Sequence, residues 1–89
     1  MEQDDKRVCS RLNPAISIGR QQLRVLQLLA QGWAPKEIAR ELNRSIETVR
    51  EHIHTLEERL GARTSAELMI LAVGHGFVRT REGDQNDAG

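Results

Sequence analysis

The chain has 89 residues, of which 38% are hydrophobic, 29% charged and only 2% aromatic, a composition for one small domain with a thin core of Leu, Ile, Val and Ala that gains from self-association. Thirteen basic and thirteen acidic residues cancel, so the basic footprint expected of a nucleic-acid binder is missing, although residues 18–79 carry nine basic and seven acidic side chains, a net of +2. The single cysteine, Cys9, excludes an intrachain disulfide; with no signal peptide and no apolar run near eighteen residues, we expect a cytoplasmic protein that does not span a membrane.

Residues 1–15 are polar and contain Pro14, and we read them as a flexible N-terminal arm. A first helix is predicted over about 20–31, where Leu23, Leu26, Leu29 and Ala30 recur at helical spacing with Val25 and Leu28 beside them. Gly19 and Gln22 form a weak start, and Gly32 stands where a helix-ending glycine belongs. Trp33 is then a hydrophobic plug. A second helix is predicted over about 35–42: Pro35 suits its first position, Glu37 meets the positive end of its dipole, and Ile38, Ala39 and Leu42 form its buried stripe.

"NRS", residues 43–45, is a turn in which Asn43 tolerates a left-handed backbone and Ser45 caps the next helix. That third helix, about 46–60, buries Val49, Ile53, Leu56 and Leu60 at i, i+4, i+7 and i+11, and Gly61 ends it. The fourth helix opens at "TSAE", where Thr64 and Glu67 have capping-box spacing, and runs to about His75. Its apolar residues form two stripes: Ala66, Met69, Ile70 and Val73 on one side, Leu68, Leu71, Ala72 and His75 on another. One stripe suffices for docking, so the other stays wet or meets a partner. Residues 80–89 are acidic and read as a disordered tail, which leaves 16–79 as the domain.

Two short helices around a tight turn, the second longer and amphipathic, make a helix-turn-helix. The stretch "VLQLLAQGWAPKEIARELNRSIETVREHIHTLEERLGARTSAELMILAVGHG" resembles the LuxR-type helix-turn-helix domain, with the match running over about residues 18–78. Val25-Leu26, Ala30, Gly32, Lys36-Glu37-Ile38-Ala39, Leu42, Ser45, Thr48-Val49, His52, Leu60-Gly61 and Glu67 sit in the family's register. The resemblance implies an all-α, four-helix fold and a sequence-specific transcription regulator that binds double-stranded DNA. The chain departs from the pattern at Gly19, Gln21, Gln22, Ala34, Arg44 and Ser65. Most of these are capping or charge-pair changes of modest cost. Arg44 either lies along the surface with its stem packed or adds a phosphate contact beside the recognition helix.

With Val49 at the centre of the buried face and roughly 100° per residue, Glu47, Glu51, His54 and Glu58 centre on the opposite face, flanked by Arg50 and Thr55, with Thr48 at one edge. In a helix-turn-helix the N-terminal half of that face meets base edges. Glu47, Arg50, Glu51 and His54 are therefore the candidate readers. Arg50 suits guanine O6 and N7, and a glutamate accepts from cytosine N4 while repelling wrong sequences. Lys36, Arg44, Ser45 and Thr48 are candidate phosphate contacts, and Thr55, which flanks the face, and Arg59, at the family's usual basic position, are further candidate DNA-binding residues. His52, on the buried side, is expected to pack rather than read.

The fourth-helix stripe Leu68, Leu71, Ala72 and His75 is the candidate homodimer face. No Cys or Asp set accompanies "HIH" (52–54), whose histidines face different ways, so we expect no metal; we expect no enzyme activity, cofactor or small-molecule ligand either. The competing function is a protein-interaction module that modulates another regulator through the fourth helix, consistent with zero net charge and four glutamates in the third. A sigma-factor region-four-like fragment shares much of the pattern, but Gly61 and the capped helix after it argue against that.

Overall fold

A computed structural model describes residues 7–79. Its helices fall where the apolar spacing and capping residues predict them: α1 Arg20–Ala30, α2 Pro35–Leu42, α3 Ile46–Leu60 and α4 Ser65–Gly74. The backbone groups left free at each helix end are taken up locally. Gln22 Oε1 accepts the Gly19 amide at 3.0 Å, and Glu37 Oε1 accepts the Ala34 amide at 2.9 Å, so α1 and α2 are held by their third residue without a side-chain cap. Thr64 Oγ1 accepts the Glu67 amide at 3.1 Å as predicted. The reciprocal bond differs: Glu67 Oε1 takes the amide of Arg63, one residue before the cap, at 2.6 Å.

The core has two lobes. Val25, Leu28, Ile38, Ala39 and Val49 form one, with Trp33 packed against it as the expected plug. Ile18, Leu26, Leu56, Leu60, Leu68, Ala72, Phe77 and Val78 form the other. Ile53 of α3 and Leu29 of α1 touch both.

The predicted flexible arm is corrected over residues 7–15. Arg7–Cys9 is a strand, β1, paired antiparallel with β2, Ser17–Gly19, with Arg7 opposite Gly19, Val8 opposite Ile18 and Cys9 opposite Ser17. Alternation turns Val8 and Ile18 inward onto the core and leaves Arg7 and Cys9 exposed. The intervening loop is fastened to the end of α4. Ser10, buried, accepts the amides of Leu12 and Asn13 at 3.0 and 3.1 Å, and its hydroxyl lies 2.6 Å from His75 Nδ1. The Arg11 amide donates to the His75 carbonyl at 2.9 Å. The Arg11 side chain lies over Gly76, where φ is +83° and a Cβ would come within 2.6 Å of Arg11 Cδ. The positive φ favours glycine there, and a Cβ would also require the exposed Arg11 side chain to move aside. Residues 1–6 and the predicted tail, 80–89, lie outside the described residues.

Leu68 has no exposed surface within one chain. Leu68→Ala is expected to lower the unfolding free energy by about 2–5 kcal/mol, read from urea denaturation. A loss under about 1 kcal/mol would contradict this packing.

Candidate nucleic-acid interface

The turn between α2 and α3 sets how α3 is presented. Asn43 adopts the left-handed conformation (φ +57°, ψ +47°), which stops α2 and lets the Arg44 amide bond back to the Ala39 carbonyl at 2.9 Å. Ser45 then starts α3: its Oγ accepts the Thr48 amide at 3.1 Å and lies 2.9 Å from Thr48 Oγ1. Because Val49, Leu56 and Leu60 are buried, the rest of the α3 surface has a fixed aspect. Arg44, Ser45, Glu47, Arg50, Glu51, His54 and Arg59 are exposed, and Thr48 and Thr55 are half-buried at the margin of that surface. Lys36 is exposed on the first turn of α2. On α3 the predicted residues spread from Arg50 on one flank, through Glu47, Glu51 and His54, to Thr48, Thr55 and Arg59 on the other, and two of them have neighbours that the spacing did not reveal. His54 Nε2 lies 3.2 Å from Glu58 Oε2 one turn on. Arg59 Nη1 donates to the Ser17 carbonyl of β2 at 3.4 Å.

A family model described as bacterial regulatory proteins, luxR family, matches residues 17–72. The chain belongs to this family. It is a helix-turn-helix protein of DNA-binding transcription regulators, a family that is not enzymatic. Solved structures similar to it include the transcription factor GerE and the LuxR-type receptor VqmA. The transcription factor GerE superposes with a TM-score of 0.65 at 25% identity, covering 67% of this chain and 90% of GerE. The LuxR-type receptor VqmA of Vibrio cholerae superposes with a TM-score of 0.68 at 27% identity, covering 92% of this chain; the match spans 39% of the VqmA chain. A search of the curated proteins gives no match.

In this luxR-family domain the predicted dimer face is corrected. Leu68, Ala72 and His75 are buried in their own chain, and the half-buried Leu71 packs against the same lobe of the core. The other stripe is outward except at Met69, which packs against the core: Ile70 is 70% exposed and Val73 38%, and Ala66 is exposed. The two stripes have the same spacing, so spacing could not choose. The buried stripe is the one that packs with Leu26, Leu56 and Phe77, and its His75 imidazole meets buried Ser10 and stacks on Phe77 with ring centroids 5.9 Å apart. Leu12, 69% exposed, lies against Gly74 and extends the outward face. Among the described residues no group of three His, Cys, Asp or Glu could hold a metal, and no helix is long and apolar enough to cross a membrane.

His52 of α3 is half-buried. Burial lowers its pKa below the ordinary imidazole value; the nearby Arg44 guanidinium lowers it further, and Glu51 partly offsets both. The fold therefore favours neutral His52. Its contribution to stability is full above about pH 6.5, the unfolded value, and is lost as pH falls through the depressed folded value. Thermal melts are expected to show a falling Tm as pH drops below about 6.5, with a smaller fall for His52→Gln. Parallel curves for the two proteins would contradict this.

Proposed function

We propose that this protein is a sequence-specific transcription regulator that binds double-stranded DNA in the bacterial cytoplasm as a homodimer. Each subunit sets the N-terminal half of α3 in a major groove, and α4 joins the subunits through Ala66, Ile70 and Val73. The observation that carries the reading is the two-sidedness of α3: Val49, Leu56 and Leu60 bind it to the core while Glu47, Arg50, Glu51 and His54 stand in solvent. In this reading Arg50 pairs with guanine, Glu47 and Glu51 accept from cytosine amino groups and reject other bases, and His54 reads beside them. Lys36, Arg44, Ser45, Thr48, Thr55 and Arg59 hold the phosphate backbone. The described dimer of VqmA, which has a target DNA, supports both the ligand and the pairing.

Two copies suit the charge balance. With no net charge, nonspecific attraction is weak, and one recognition helix bearing two glutamates among its readers gains little from the backbone. Doubling the contacts on a roughly palindromic site recovers affinity while keeping the selectivity. The exposed Ile70–Val73 face also supports a second reading, in which α4 takes up a different regulator and forms a heterodimer.

Selection from random duplexes at low salt is expected to enrich a roughly palindromic sequence, and Arg50→Ala to weaken binding to it by about 1–3 kcal/mol with an unchanged melt. No enriched sequence would overturn the DNA reading. Ile70→Glu is expected to give the monomer mass in light scattering where the wild type gives a dimer. A monomeric wild type would favour the second reading.

A further inference from the structure

The N-terminal hairpin brings a basic side chain to the recognition helix, and it does so from outside the residues matched by the family model, 17–72. Arg7 of β1 donates through Nε to Ser17 Oγ at 2.9 Å and through Nη2 to the Ser17 carbonyl at 3.0 Å. Arg59 of α3 donates to the same carbonyl oxygen, with Nη1 at 3.4 Å. Two guanidinium groups thus converge on one neutral acceptor, and both side chains are exposed. A carbonyl oxygen orients two such groups but does not neutralise them. An anion between or above them would, and a phosphate oxygen matches the guanidinium fork.

The position of this pair on α3 names the anion. At roughly 100° per residue, Thr48, Thr55 and Arg59 fall within about 40° of one another, on the flank opposite Arg50. A helix lying in a major groove turns its flanks toward the phosphate strands, and its later turns meet the backbone rather than the bases. Arg59 is in the last turn of α3, and Arg7 extends its flank beyond the helix. The pairing with β2 and the Ser10 bonds to the end of α4 hold β1 in place, so little freedom is lost when Arg7 meets a ligand.

We propose that Arg7 and Arg59, oriented by Ser17, form a phosphate clamp on the DNA backbone beside the site read by α3. This rests on the proposed DNA binding and makes the hairpin a part of the interface. The clamp adds affinity without sequence information.

The test is the salt dependence of binding to a mixed-sequence duplex of about 20 base pairs, measured by fluorescence anisotropy over a salt series. Arg7→Ala is expected to weaken binding uniformly across sequences and to make the slope of log K against log salt shallower by about 0.9, with Arg7→Ala/Arg59→Ala shallower by about twice that. Arg7→Lys keeps the charge and is expected to keep the wild-type slope, which separates loss of charge from loss of the Ser17 bonds. A lowered Tm with an unchanged slope in Arg7→Ala would make Arg7 a staple of the hairpin and overturn the clamp. Wild-type protein with no salt-dependent binding would overturn the DNA reading itself, and the clamp with it.

Discussion

The buried spine of α3 is the interaction on which the rest of the structure depends. Val49 belongs to the lobe made with α1 and α2, Leu56 and Leu60 to the lobe made with α1 and α4, and Ile53 touches both. Neither lobe is large enough to stand alone in a chain this short with one Trp and one Phe. The spine joins them, and in doing so fixes the rotation of α3 about its own axis. A turn by one residue's angle would carry Arg50 or Thr48 into the core and leave Val49 wet. The cost of burying an unpaired guanidinium excludes that arrangement. The outward face of α3 is therefore determined by the inward one, before any nucleic acid arrives.

The same constraint sorts the four glutamates of α3. Glu47 is in the first turn, where the helix dipole favours a carboxylate, and Glu51 comes one turn later on the exposed face. Glu58 is drawn to His54, and Glu57 is half-buried on the flank away from Thr55 and Arg59. On the other flank Arg59 lies beside Arg7. The acidic residues are not a uniform repulsive surface. In the proposed reading Glu47 and Glu51 stand with Arg50 where selectivity is gained from rejecting a base, while Arg59 and Arg7 sit at the margin, where attraction to a backbone is useful whatever the sequence.

The four helices were legible because each has a local stop or start with a physical cause: Pro35, Asn43, Ser45, Gly61 and the Thr64 cap all perform as their chemistry predicts. The exposed residues of α3 were legible for the same reason, since one apolar stripe defines its opposite. The hairpin was not. Its strands are three residues each, too short for alternation to stand out, and they depend on pairing across the Pro14 loop rather than on propensity. Arg7 and the aspect of Arg59 were hidden with it. The fourth helix failed differently. It carries two stripes of equal spacing, and the one with a histidine packs against residues distant in the chain, Leu26 and Leu56 among them, while Ser10, 65 residues from His75, meets its imidazole. A contact of that range has no local signature.

Whether the exposed half of α3 is the surface that meets DNA is read most directly from a map of backbone amide NMR shifts, recorded as the duplex enriched from a random pool is added. The largest changes are expected over residues 44–55, with smaller ones at Arg7, Lys36 and Arg59 and few in the core-facing part of α4. Changes confined to α4, with residues 44–55 unmoved, would contradict the assignment of α3 as the reading helix.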